Sequence, residues 1–406
     1  MNCRLCGTVL GDVFLDLGSA PPSNAFLTAE TLLAPEAWYP LKLFTCHQCL
    51  LVQVGEIRSH TALFDDDYVY FSSFSASWLA HAERYVQEAV KRLLLDDTSL
   101  VMEVASNDGY LLQYVASRNI PCVGIEPTAS TANAARARGI ETIGRFFGSV
   151  FAREYADAKQ PADLIIANNV IAHVPDVNDF VEGFRVALAA TGTVTIEFPH
   201  LMELVTNRQF DTVYHEHFSY LSLHAVLRLF DMHGLEIWDV QRLPTHGGSL
   251  RVWASHTGVR EPLPSVEQIL EDERQAGMLE LSYYQRFQYA ADKVKNDFIA
   301  FLLECRRKGL RVAGYGAAAK GNTLINYAGV RPDLLRYVVD ASPHKQGRWL
   351  PGSRIPVVPE QVLRDDRPDI VVILPWNLRD EITNQLAYIR EWGGQFAVAV
   401  PSLEVS

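Results

Sequence analysis

Residues 100–119 read LVMEVASNDGYLLQYVASRN, and residues 121–127 read PCVGIEP. The first apolar run ends in a polar, glycine-containing turn and passes into a helix-forming stretch. The second run repeats the pattern, followed by TASTANAARARG (128–139), a helix closed by Gly139. Short continuous apolar runs that alternate with helical stretches predict buried parallel strands joined by crossover helices. The alternation continues downstream. ETIG (141–144) is a short strand, ADLIIANNVIAHV (162–174) a strand into a loop, VNDFVEGFRVALA (177–189) a helix and GTVTIEFPH (192–200) a strand. After a helical stretch at 222–233, LEIWDVQRL (235–243) and SLRVWASH (249–256) are separated only by PTHGG. So short a connection permits only an antiparallel pair.

The rest of the chain flanks this doubly wound α/β unit. With 406 residues, 48% hydrophobic and 21% charged, it can bury more than one core. Its net charge of -12 argues against a nucleic-acid partner, because phosphate contact needs basic surface. The start MNCRLCGTVL lacks the basic and apolar regions of a signal peptide, and no apolar run reaches the ~18 residues of a membrane helix. The expected location is cytoplasmic, with no membrane partner. Residues 258–309 read as polar and helical, and from about 310 a second strand and helix alternation begins, including LRVAGYGAAAKGNTLINYAG and DIVVILPWNL. The expected division is a zinc-binding domain with a substrate loop at 1–75, a donor-binding domain at 76–257, and a helical linker with a Rossmann-like α/β domain at 258–406.

The cysteines supply the clearest local signal. Cys3-x-x-Cys6 and Cys46-x-x-Cys49 are two knuckles, and two thiolates on each turn complete a tetrahedral four-cysteine zinc site with no open position. Such a metal holds structure and does no chemistry.

In the deciding stretch, Glu103, Ala105, Asn107 and Gly109 form a turn that lacks G-x-G-x-x-G. One glycine and an aspartate disfavour a pyrophosphate but suit a sulfonium zwitterion, so S-adenosylmethionine is the expected cofactor rather than NAD. Glu126 ends the second strand, where an acidic side chain can accept from two ribose hydroxyls. Asn168 follows the fourth strand, and Phe147 after the third can cover an adenine or simply belong to the core.

The densest polar cluster runs from Asp211 to Tyr220, with Tyr214, His215, Glu216 and His217 at its centre. A histidine is a usable base near neutral pH, and a glutamate or tyrosine can orient it. H-x-H can also chelate a metal, or the histidines can cap helix ends. His173 follows the fourth strand. Tyr68, Tyr70 and Ser72 offer hydroxyls to a polar ligand. His246 and Arg251 flank the last hairpin, and Arg251 presents a donor fork suited to phosphate. Gly314 to Asn322 resembles a Rossmann turn and a Walker loop but fits neither, leaving Lys320 as a candidate phosphate contact.

Five parallel strands followed by a hairpin outline a class I methyltransferase. Across nearly its whole length the chain resembles the sugar C-methyltransferases of deoxysugar biosynthesis. The resemblance rests on the region of the four paired cysteines, YVYFSS (68–73), EVASNDG (103–109), AHVPD (172–176), YHEHFSY (214–220), THGGSLR (245–251) and GYGAAAKGNT (314–323). It implies methylation at C3 of a TDP-linked 4-keto-deoxysugar through a base-generated enolate. It further implies that His217 is the base, helped by Tyr214 and Glu216, with Tyr68 and His173 lining the site. An O- or N-methyltransferase and a non-catalytic zinc and nucleotide-binding protein are the competing readings.

Overall fold

The computed structural model describes residues 1–55, 72–74 and 76–406. Tyr68 and Tyr70 lie outside the described residues. Strands β1 (Asp12–Ala20), β2 (Tyr39–Thr45) and β3 (Val52–Val54) form the N-terminal part. Then come β4 (Val101–Val104), β5 (Cys122–Ile125), β6 (Thr142–Ile143), β7 (Ala162–Asn168), β8 (Leu188–Pro199), β9 (Ser219–Tyr220), β10 (Leu235–Leu243) and β11 (Ser249–His256). The C-terminal part holds β12 (Val312–Tyr315), β13 (Val338–Val339), β14 (Val357–Val358), β15 (Ile370–Ile373), β16 (Gln395–Val398) and β17 (Glu404–Val405).

The central sheet has the order β10-β11-β8-β7-β4-β5-β6. β4 to β8 run parallel, while β11 is antiparallel to both β8 and β10. Strands covered on both faces read as unbroken apolar runs, and every residue of β4 is buried. One face carries the helices Ser149–Ala158, Val177–Ala187 and Leu223–Met232, whose Phe151, Phe184 and Phe230 fill a single core. The other face carries Ala76–Leu93 and Leu112–Ala116, with Tyr85, Val115 and Trp253 between them and the sheet.

The N-terminal sheet has the order β1-β2-β3-β9. Its fourth strand comes from the end of the YHEHFSY segment, Val52 pairing with Tyr220. The polar cluster is thereby tied to the N-terminal sheet by backbone hydrogen bonds. Residues 258–309 do more than connect. The helix Pro264–Ala276 sends Val266 and Ile269 into the central core. The helix Phe287–Arg307 lies under the N-terminal sheet, where Phe14 stacks on Phe287 at 4.9 Å. The C-terminal sheet, β14-β13-β12-β15-β16-β17, is parallel except for β17. A second core joins Phe14, Phe210, Phe298 and Val372 across the N-terminal sheet, the 201–220 segment and the C-terminal sheet. Among the described residues no helix is long and apolar enough to cross a membrane.

Candidate active site

The four cysteine sulfurs lie within 4.8 Å of one another, with Cys3 and Cys49 3.4 Å apart and Cys6 and Cys46 3.5 Å apart. A tetrahedral zinc with bonds of ~2.3 Å separates its sulfurs by about 3.8 Å, so the donor set fits zinc. Gln53 Nε2 donates to Cys3 Sγ at 3.2 Å, an outer contact that favours the thiolate. Cys3, Cys46 and Cys49 are buried. All four corners are protein thiolates, and the site is structural.

The carboxyl edge of β4 is the second element of the site. Ala105 and Asn107 have positive φ, at 58° and 51°, a strained backbone that persists where surroundings or function hold it, and Gly109, at 76°, takes the same region without a Cβ to clash. Glu126 accepts from Asn107 N and Thr128 N, each at 2.9 Å, so it braces the turn while facing the edge of the sheet. Buried polar atoms collect here. Glu103 Oε2, Ser106 Oγ, Asp108 Oδ1, Asn168 Oδ1 and the Asn169 amide have no hydrogen-bond partner among the described residues. Unpaired buried polar groups are costly, and a ligand rich in amine, hydroxyl and ring nitrogens satisfies them. Burial, with Glu126 and Asp108 nearby, pushes Glu103 well above the usual carboxylate range, a penalty that a cationic ligand relieves. The residues fit S-adenosylmethionine. Ser72, expected at the substrate, donates its backbone N–H to Asn107 Oδ1 at 3.0 Å, which brings it beside this turn. Ser73 Oγ donates to Asp108 and Arg138 pairs with Asp108 at 3.2 Å. The end of the YFSS segment closes on the donor turn.

Phe147 does not face this edge. Its ring packs against Phe151, Phe180 and Phe184 at 5.4 to 5.9 Å, because the chain after β6 must bridge two helices whose inner faces are aromatic. The expected adenine contact from Phe147 is corrected to a core role. Phe146 beside it is 49% exposed.

The histidines meet where the central and N-terminal sheets join. A tight turn, with His217 N bonded to Tyr214 O at 3.0 Å, throws the two residues at its tip one way and folds His217 back onto Tyr214. Their ring centroids are 4.0 Å apart, and those of His173 and His217 4.6 Å. His215 points instead to the N-terminal sheet, its Nε2 3.3 Å from Tyr39 O. Glu216 accepts from Asn24 Nδ2 at 2.8 Å. The two histidines of H-x-H therefore diverge, and the only metal-type cluster among the described residues is the cysteine set.

His217 Nδ1 is 3.2 Å from Thr212 O, and His173 Nδ1 is 2.9 Å from Glu216 O. A carbonyl only accepts, so in each neutral ring Nδ1 carries the proton and Nε2 keeps its lone pair. Crowding away from water, followed by the neighbouring His173, pushes His217 well below the usual histidine range. Burial pushes His173 down to about 4. Both rings are neutral at pH 7. Burial pushes Glu216 up to about 7 despite the Asn24 amide.

Beyond this cluster stands the C-terminal domain. Lys320 donates to Asn377 Oδ1 at 2.7 Å and sits 4.5 Å from the Trp376 ring centre. Trp376 Nε1 donates to the buried Asp211 at 2.8 Å, and burial pushes Asp211 up to about 6. His246 is exposed, has φ 54°, and its ring lies 5.2 Å from Trp78. A Cβ at Gly247 would lie 2.5 Å from Trp376, so the hairpin turn fits against that indole only as glycine. Asp340 accepts from Ala317 N at 2.8 Å, placing a carboxylate where a Rossmann turn would meet phosphate.

Arg251 is corrected outright. Its register partner across β11 and β8 is Glu197, and the guanidinium bonds that carboxylate through Nε at 2.8 Å and through a second nitrogen. With side-chain exposure of 4% and 0%, the pair is internal and the fork is already spent. His81, Glu197 and Trp376 escaped the sequence reading, and Asp211 entered it only as the first residue of the polar cluster. Asp211 opens the polar cluster and Trp376 follows an apolar strand, which is where ligand-facing residues of such sheets occur; His81 and Glu197 carry no such mark.

Three family descriptions match consecutive parts of the chain: a zinc binding domain at residues 3–64, a methyltransferase domain at 78–240 and a C-methyltransferase C-terminal domain at 244–401. C-methyltransferase NovU from Streptomyces niveus is 34% identical over 408 residues, covering 100% of this chain and 96% of its own. Among solved structures, magnesium protoporphyrin IX methyltransferase from Synechocystis PCC 6803 is 12% identical over 48% of this chain and 92% of its own, with a TM-score of 0.37. The PH0226 protein from Pyrococcus horikoshii OT3 is 15% identical over 46% and 95%, with a TM-score of 0.39. On this likeness along its whole length, the chain belongs to the C-methyltransferase family and is an S-adenosylmethionine-dependent C-methyltransferase with a structural zinc.

Proposed function

We propose that the protein methylates C3 of a TDP-linked 4-keto-deoxysugar, with His217 as the base. The observation that carries this reading is the state of His217, a neutral ring whose Nδ1 is committed to Thr212 O and whose Nε2 lone pair can take a proton. A carbon beside a ketone becomes nucleophilic only when it loses a proton, so carbon methylation demands a base aimed at carbon. S-adenosylmethionine supplies the electrophilic methyl group. His217 Nε2 takes the C3 proton, and the resulting imidazolium, with the Lys320 ammonium, offers positive charge to the enolate oxygen at C4. Tyr214 packs against the ring at a tilt of 36° and limits its rotation. His173 packs edge-on beside it, its own ring fixed through Nδ1. Glu216 acts through its backbone, which orients His173, while its carboxyl fastens the turn to Asn24. Glu126 binds the donor ribose, and Lys320 and His246 face the sugar nucleotide.

The test is incubation of the zinc-loaded protein with methyl-labelled S-adenosylmethionine and a panel of TDP-4-keto-deoxysugars, followed by NMR location of the label. A new methyl on C3 supports the reading. Label on oxygen or nitrogen, or no turnover across the panel, refutes it.

A further inference from the structure

Three consecutive residues connect the C-terminal domain to His217. Asp211, fully buried, is held by Trp376 Nε1 at 2.8 Å. The carbonyl of Val213 accepts from Thr323 Oγ1, itself 2% exposed, at 2.9 Å. Between them, the carbonyl of Thr212 holds Nδ1 of His217 at 3.2 Å. Trp376 follows β15, and Thr323 lies in the helix Ala319–Tyr327, so both grips come from the carboxyl edge of the C-terminal sheet. A short 3-10 turn, Phe210–Thr212, is the only regular structure in the gripped segment. Its own hydrogen bonds, Val213 N to Phe210 O at 3.1 Å, Thr212 Oγ1 to Gln209 O at 2.7 Å and Tyr214 N to the Tyr220 hydroxyl at 3.3 Å, do not reach the Thr212 carbonyl itself.

We infer that the C-terminal domain sets the orientation and tautomer of the His217 ring, with Thr323 and Trp376 as positioning residues that grip the chain on either side of Thr212. The catalytic consequence rests on the reading of His217 as the base; the structural claim does not. A carbonyl clamped from two sides fixes which ring nitrogen is protonated, because the opposite tautomer would set two lone pairs against each other. It also fixes the direction of Nε2, and small misplacements of a reacting group cost large factors in rate. The titratable groups that face the ring include Tyr214, Tyr220, His173, His246 and Lys320, while Nδ1 bonds the Thr212 carbonyl.

The experiment compares Thr323→Val, Thr323→Ser and Trp376→Phe in the full-length, zinc-loaded protein labelled with 15N-histidine. Long-range 1H–15N correlation reads the tautomer of His217, assigned by its loss in His217→Asn. The wild type and Thr323→Ser should show a single Nδ1–H tautomer. Thr323→Val and Trp376→Phe should each add the Nε2–H form. With the panel sugar that turns over best, kcat should fall roughly 10- to 100-fold in those two variants, with KM for S-adenosylmethionine within about twofold and rescue in Thr323→Ser. An unchanged tautomer in both Thr323→Val and Trp376→Phe overturns the inference. Full activity in His217→Asn would instead overturn the reading of His217 as base, and the tautomer measurement would still decide the clamp.

Discussion

Replacing Arg251 with methionine removes the guanidinium from a carboxylate that water does not reach. Glu197 is 0% exposed at its side chain and Arg251 4%. Arg251 donates to Oε1, His81 Nε2 lies 3.0 Å from Oε2, and the guanidinium sits 4.4 Å from the Tyr85 ring centre. Removing one partner of a buried ion pair costs about 3–5 kcal/mol, chiefly through the charge left behind. His81 remains to share that charge, which places the expected loss near the lower end, about 3 kcal/mol. Urea unfolding at pH 7 should show a lower midpoint with an unchanged slope. The pH dependence carries a sign. In the folded wild type, His81 and Arg251 overcome burial and hold Glu197 below the usual carboxylate range. Its contribution is present above the unfolded value of about 4.3 and is lost on acidification. Without Arg251, burial dominates and reverses the direction, so the variant loses stability as pH rises. The gap between the two proteins should be widest near pH 7 and narrow toward pH 5. A variant within 1 kcal/mol of wild type, but with a tenfold or larger rise in KM for the sugar nucleotide, would refute the structural role and restore Arg251 as a phosphate ligand.

Metal analysis should find about one zinc per chain, lost together with thermal stability in a Cys6→Ser, Cys46→Ser double variant; a metal-free wild type that stays folded would contradict this. Glu126→Ala should weaken S-adenosylmethionine binding by ~1–3 kcal/mol in calorimetry, since it removes charge-assisted acceptors and loosens the Asn107 and Thr128 amides. Glu216 titrates at about 7 in the folded chain, above its unfolded value. It therefore favours folding while protonated, and that share of stability is lost as pH rises through about 7. Glu216→Gln should flatten the fall in melting temperature between pH 6 and pH 8, a range chosen to bracket that titration.

The central sheet was legible because both of its faces are covered, so each strand is an uninterrupted apolar run and each crossover a helix with one apolar face. The zinc site was legible because both knuckles are local. Arg251 was misread because its partner Glu197 lies on another strand and only cross-strand register brings them together. Phe147 was misread because an aromatic residue after a strand has the same local sequence whether it faces a ligand or a helix. The pairing of β9 with β3 and the grip of Trp376 on Asp211 join residues far apart in the chain. No local periodicity encodes such contacts. Within YHEHFSY, composition marked the cluster of polar side chains, but the turn from Tyr214 to His217 decided which histidine faces Tyr214 and His173.

The most direct measurement of His217 as the carbon base is hydrogen exchange at C3 of the TDP-4-keto-deoxysugar in deuterated water, without S-adenosylmethionine, alongside methyl transfer with it. Wild type should exchange that position. His217→Asn should lose the exchange and about 10² to 10⁴ in transfer rate, with S-adenosylmethionine affinity nearly intact. Near wild-type transfer and exchange in His217→Asn, with His173 or His215 variants inactive, would contradict it.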